Sequence, residues 1–218
     1  MEKRSLRLTV LKILTMTMGI LLVSGIALAA NIIQNPGAEV VGEKNKPAFW
    51  GEYGGAEYGQ WGVYTKDTAP DKVYAGNISV YYRLGFNKDG YANCALIAAD
   101  SNGYTGKKAY AVTPGAKYYF SFWLKGTGYG RELTVMPWGW TVDDKRVQAN
   151  AKTAPVGFDM LKIYPSNEWT KYSGSFIVPE NVLTVALLFH SYGYLYKDFE
   201  EGVEFIVDEV YLSTEPEK

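Results

Sequence analysis

The chain has 218 residues with 22 basic and 23 acidic side chains, a formal net charge of −1, which excludes a broad phosphate-tracking surface and, with it, nucleic acid as a partner. Hydrophobic residues make up 47% and charged residues 21%, a balance that supports a packed core and rules out disorder over most of the length. The departure from average is 18 Tyr, 9 Phe and 6 Trp against a single His. Flat rings with polar edges are plentiful, and imidazoles for proton transfer are nearly absent.

Lys3, Arg4 and Arg7 make a basic start, residues 13–23 are mostly apolar, and Ala27-Leu28-Ala29 offers the small-x-small pattern cut by a signal peptidase. Residues 1–29 are therefore read as a signal peptide, and the product as secreted and extracellular, with no membrane attachment after cleavage. An uncleaved anchor is the alternative, but the apolar run is short for a span of about 20 residues. The remaining chain carries 18 basic and 22 acidic residues and all of the aromatics. Cys94 is the one cysteine, so no internal disulfide can form, and a lone thiol is read as a small buried hydrophobe. Residues 30–213 are expected to form one monomeric module, with 214–218 a tail or the start of a linker.

Along the module the hydrophobic period is two. Residues 50–62 read as a loop of Gly, Tyr and Trp, followed by strands at 78–84 and 94–98. Pro114-Gly115 marks a type II turn, because Gly tolerates the positive φ at its third position. The next strand places Tyr118, Phe120, Phe122 and Leu124 on one side and Tyr119, Ser121 and Trp123 on the other. Further strands are expected at 133–138, 172–178, 183–189 and 203–212, with polar residues 143–155 and tyrosine-rich residues 191–202 as loops. Short strands so punctuated, with no long amphipathic helix, predict an all-β, two-sheet antiparallel β-sandwich of jelly-roll type.

Nucleophilic triads need a base, and the only imidazole is His190, next to the apolar run Leu187-Leu188-Phe189. Two-carboxylate glycosidase or polysaccharide lyase chemistry stays open through Glu204, Asp208 and Glu209. The aromatic excess points more directly to carbohydrate: a Trp or Tyr ring stacks on the C–H face of a pyranose, each stack adding about 0.5–1.5 kcal/mol by analogy with aromatic pairs. Trp138 and Trp140, two apart, share a face of one strand; Trp123 lies on the mixed face of another; Trp50, Tyr192 and Tyr194 fall in loops. Trp169 reads as core.

The ordered set Asn35-Pro36-Gly37-Ala38-Glu39, Trp50, Gly76-Asn77-Ile78-Ser79, Thr113-Pro114-Gly115, Ser121-Phe122-Trp123-Leu124, Trp169, Phe176-Ile177-Val178-Pro179 and Val207-Asp208-Glu209-Val210 resembles the carbohydrate-binding modules of the family 4, 9, 16 and 22 group. The resemblance implies a jelly roll that holds β-linked polysaccharide, with a structural calcium bound by Glu39 and Asp208 and completed by backbone carbonyls. It also implies that Trp50 serves as a sugar platform. Ala38 departs from the pattern, standing where an aromatic is usual. The resulting expectation is a non-catalytic module for a β-glucan or β-mannan, with ligand contacts from Trp50, Trp123, Trp138, Trp140, Tyr192 and Tyr194. A jelly-roll enzyme and a protein-binding adhesion module are the alternatives.

Overall fold

The computed structural model describes residues 30–53, 59–85, 91–99, 109–127, 132–148, 160–194 and 204–218, the side chains of residues 43, 91–93, 127, 148 and 192–194 excepted. Residues 31–218 form one compact unit. The strands of the described residues are β1 (Trp50–Tyr53), β2 (Gly59–Thr65), β3 (Ile78–Leu84), β4 (Tyr91–Ala98), β5 (Tyr110–Ala111), β6 (Lys117–Thr127), β7 (Leu133–Trp140), β8 (Arg146–Gln148), β9 (Leu161–Ile163), β10 (Thr170–Ile177), β11 (Thr184–Tyr194) and β12 (Glu204–Ser213). They build two antiparallel sheets. One has seven strands along the path β1-β4-β11-β7-β8, with β5 on β11 and β9 on β7; the other has five, in the order β10-β6-β12-β3-β2.

The predicted β-sandwich is the observed fold, and alternation explains how it closes. On β6 the side chains of Tyr118, Phe120, Phe122 and Leu124 are buried, whereas Tyr119 and Trp123 on the opposite side are half-buried. Phe122 meets Phe189 of β11 edge-to-face at 4.9 Å, which joins the two sheets across the core. The turn into β6 has the expected form: Ala116 N–H donates to Thr113 O at 3.2 Å, and Gly115 sits at φ +73°.

Three expected loops proved to contain strands. Residues 50–62 include β1 and the start of β2, β8 lies inside 143–155, and β11 continues to Tyr194. Local composition gave no alternating pattern there; pairing with a neighbour decides, as where Trp50 to Tyr53 run beside Ala98 to Ala95. The loop remainders at 54–58, 149–155 and 195–202 lie outside the described residues.

Candidate functional site

Register separates the two faces of the seven-stranded sheet. Phe189, Trp50 and Leu133 point to the core, so their neighbours one residue away point outward: Tyr53 on β1, Ala95 and Ile97 on β4, Ala186, Leu188 and His190 on β11, Thr134, Met136, Trp138 and Trp140 on β7, and Lys162 on β9. Trp138 and Trp140 therefore share the outward face, as their spacing predicts. They contact each other edge-to-face at 6.5 Å. The Tyr53 ring reaches Trp138 at 5.7 Å, although β4 and β11 separate their strands. With neighbouring strands about 4.8 Å apart, such a contact requires the face to curve and small Ala95 and Ala186 to lie beneath the larger rings.

Both indoles on this face are 3% exposed, as buried as the core, so neither stands open as a flat platform in the way the sequence led one to expect. The guanidinium of exposed Arg146 lies 4.3 Å from the Trp138 ring centre, and the Trp138 indole N–H is buried without a hydrogen-bond partner. The more open part of the face is a transverse row, Lys162, Thr134, His190, Ala95 and Tyr53, one residue from each of five strands. Lys162 is exposed, and Thr134, His190 and Tyr53 are half-buried. Burial lowers the His190 pKa to about 4, so its imidazole is neutral at pH 7 and can both donate and accept.

Trp50 is a core residue instead of a sugar platform. It is fully buried, stacks on Phe189 at 6.4 Å, and donates its indole N–H to Asn35 O at 3.1 Å. The reason is its strand: pairing with Ala98 sets Trp50 on the inward face. Trp123 faces outward from the other sheet, stacked at 3.8 Å on the 41% exposed Tyr74, so one ligand cannot touch both Trp123 and Trp138. Trp169 belongs to that outer cluster and is half-buried, its ring 5.7 Å from Tyr74, because β10 begins only after it. Tyr192 and Tyr194 pair with Asn93 and Tyr91, and their side chains lie outside the described ones. Tyr53, Thr134, His190 and Lys162 were not predicted. Only their cross-strand register brings them together, and nothing local to each residue signals it.

The expected metal ligands meet at one corner of the five-stranded sheet. Asp208 accepts from Tyr74 N–H at 3.0 Å, Ala75 N–H at 3.1 Å and Glu209 N–H at 2.9 Å. Glu39 accepts from Asn77 N–H at 2.7 Å and Ile78 N–H at 3.0 Å. The two carboxylates thus grip opposite ends of segment 74–78, where Gly76 turns at φ +62° and a side chain would strike Glu39. Burial pushes the Asp208 carboxyl up to about 7, against its backbone N–H bonds and with Glu209 adding repulsion. Burial, then Glu39 and Glu217, raise Glu209 as well. No ion pair to Glu39, Asp208 or Glu209 occurs among the described residues. Carboxylate oxygens that face backbone amides and no cation are of the hard type Ca²⁺ takes. Among the described residues no three acidic, His or Cys side chains converge as a metal site, so two carboxylates would need backbone carbonyls to complete a shell.

Glu204 has a different task. Its carboxylate takes Lys72 Nζ at 2.5 Å, Arg83 Nη2 at 3.2 Å and the Tyr64 hydroxyl at 2.7 Å. Burial alone would raise its pKa, but these three donors hold it below the ordinary carboxylate range. A group kept ionised in this way is a poor general acid. Glu204 and Asp208, four residues apart on one strand, are separated along the backbone by about 13 Å, and their carboxylates are held by different donor sets.

No protein-family model matches this sequence, and no curated protein matches it. Solved structures do. A family 61 carbohydrate-binding module in complex with β-1,4-galactotriose superimposes with a TM-score of 0.50 at 14% identity, covering 84% of this chain and 97% of that one. The xylan-binding domain from family 22 gives 0.50 at 14%, covering 84% and 95%. The enzymatically active domain of bacteriophage CBA120 tailspike protein 4 gives 0.53 at 13%, but only 21% of that chain is covered. The chain has the β-sandwich fold of the carbohydrate-binding modules. The resemblance carried by its motifs therefore holds at the level of fold. Within this module fold the Asn35–Glu39 motif is an anchor: the Asn35 amide bonds Val40 O at 2.9 Å and Ala48 O at 2.8 Å, next to the Trp50 indole.

Proposed function

We propose that the chain is an exported, monomeric, non-catalytic module that binds a β-linked polysaccharide of β-glucan or β-mannan type across the outward face of the seven-stranded sheet. The observation that supports it is the transverse row Lys162, Thr134, His190, Ala95 and Tyr53 beside the Trp138 and Trp140 indoles. Five strands at about 4.8 Å give a trough of about 19 Å, long enough for several sugar rings. Polar groups along it meet hydroxyls, and the half-buried Tyr53 ring at its end meets a C–H face, the two indoles forming its apolar floor. The galactotriose-complexed neighbour and the xylan-binding neighbour of the same fold support the reading.

Affinity electrophoresis on soluble glucans, mannans and xylans tests it. The intact module is expected to be retarded by at least one of them. Trp138→Ala and His190→Ala should weaken retention about tenfold, with Trp123→Ala unchanged. Unretarded migration on every polymer would overturn the proposal.

A structural calcium held by exposed Glu39 and buried Asp208 is part of the same reading, the ion neutralising the carboxylates at the 74–78 corner. Chelation is expected to lower the melting temperature by several degrees; coincident melts with and without chelator would remove the ion from the account.

A further inference from the structure

The outer face of the five-stranded sheet, on the far side of the sandwich from the proposed trough, holds a cleft of about 380 Å³. Register explains its chemistry. Ser121 lies between Ser173 and Tyr211, and Tyr119 pairs with Ser175, so two transverse rows present hydroxyls in place of the apolar or charged residues used elsewhere. Lys171, beside Trp123 in the next row, supplies the cation at the margin.

A carboxylate already sits there. The chain turns back after β12, with the Tyr211 hydroxyl donating to Glu215 O at 3.0 Å, and this brings Glu217 into the cleft. Glu217 Oε2 accepts from the Ser121 hydroxyl and from Lys171 Nζ at 2.9 Å. Ser121 is 3% exposed, so its hydroxyl is a built, desolvated donor. Burial would push the Glu217 carboxyl up, yet Ser121 and Lys171 outweigh it and hold it below the ordinary range.

We propose that this cleft is a subsite for a carboxylated sugar, a uronate residue of an acidic glycan, and that Glu217 is its internal occupant, displaced when the uronate enters. A uronate presents one carboxylate on a ring rimmed with hydroxyls. The cleft offers a cation and a buried hydroxyl for the first, and Ser173, Ser175, Tyr119 and Tyr211 for the rest. Its volume lies within the range of small-molecule sites and exceeds what a side-chain carboxylate fills. The stacked Trp123 and Tyr74 rings, next to Lys171 in register, extend the cleft with an apolar surface for the adjoining sugar. Because the tether gives Glu217 a high effective concentration, the free ligand binds the unaltered protein weakly.

The inference shares the carbohydrate reading but uses the opposite face, so the two can fail separately. The probe is a galacturonate trimer titrated calorimetrically into the full chain, with a neutral xylan hexamer as control. Glu217→Gln is expected to tighten trimer binding at least fivefold, and adding Lys171→Met or Ser121→Ala should abolish the gain, with melting temperatures confirming that each variant folds. The hexamer isotherm should not change. Trimer binding should survive Trp138→Ala, the change that weakens neutral-polymer binding in the trough; trimer binding to the Glu217→Gln protein with no neutral polymer bound by the unaltered protein would sink only the trough. Equal trimer affinity of the unaltered and Glu217→Gln proteins, or a gain that persists without Lys171, would show Glu217 to be a structural strap and overturn the proposal.

Discussion

The two outward faces of the sandwich solve one problem in opposite ways. On the seven-stranded sheet Ile97, Leu188, Met136, Trp138 and Trp140 are at most 6% exposed, so β4, β7 and β11 are apolar on both sides at these positions, with Thr134 and His190 the polar residues beside them. On the five-stranded sheet the outward positions of β12 include Glu204 and Asp208 either side of buried Ile206; the two carboxylates are 2% and 1% exposed and each is matched by donors: cations and a tyrosine for the first, backbone amides for the second. Rings give one face a surface that can be re-covered by another apolar or amphipathic body at little cost. Buried charges fix the other, since a carboxylate without its donors is expensive. The buried carboxylates of the second face hold the 74–78 segment and the Lys72 and Arg83 side chains in place.

The largest expected effect concerns neither face but the core between them. Trp50→Ala should cost about 4 kcal/mol through cavity formation and loss of the indole bond to Asn35, read by chemical denaturation. Were Trp50 a platform instead, stability would hold and only affinity would fall.

His190 sharpens the apolar side of the contrast. Its pKa of about 4 lies below the 6.5 of an unfolded imidazole, so the unfolded chain binds the extra proton first. The His190 contribution is complete above pH 6.5 and is lost as pH falls toward 4, by about 3 kcal/mol. Denaturation at pH 7 and pH 4 should therefore show a smaller acid loss in His190→Gln than in the unaltered protein; equal losses would place the imidazole in water.

Glu204→Ala should cost about 2 kcal/mol, below the usual range for a broken buried pair because Lys72 and Arg83 keep 25% and 41% of their side chains exposed. Binding of neutral oligosaccharide should not follow it. An affinity loss there would mean that the two faces are coupled. Tyr74→Ser, which strips an exposed ring from Trp123, is the mildest change, at less than about 1 kcal/mol.

Much of the fold was readable where strands alternate. Residues 78–84 were bounded as observed, and the inward face of β6 was assigned residue by residue. The Trp138 and Trp140 pair was placed on one face because period two requires only that the segment be extended. Which face, and under what cover, was not accessible, since inward and outward are properties of the sheet's partner. Trp50 shows the limit most plainly. Flanked by Gly51 and Phe49 it reads as a loop platform, yet its pairing with Ala98 turns the indole inward. The row across β9, β7, β11, β4 and β1 joins residues from Tyr53 to His190, and no window of sequence contains it.

The amino-acid order by itself determined the class of fold and the aromatic surplus that points to sugar recognition, whereas the pairing of Glu39 with Asp208 came from the resemblance of its motifs. The first two depend on composition and short-range periodicity, which the chain carries locally. Only the tertiary structure decided which rings are core and which face outward, that Glu204 is neutralised by Lys72 and Arg83, and that Glu217 returns to Ser121. Each of these depends on strand register between distant segments, and register is set by the packing of both sheets at once.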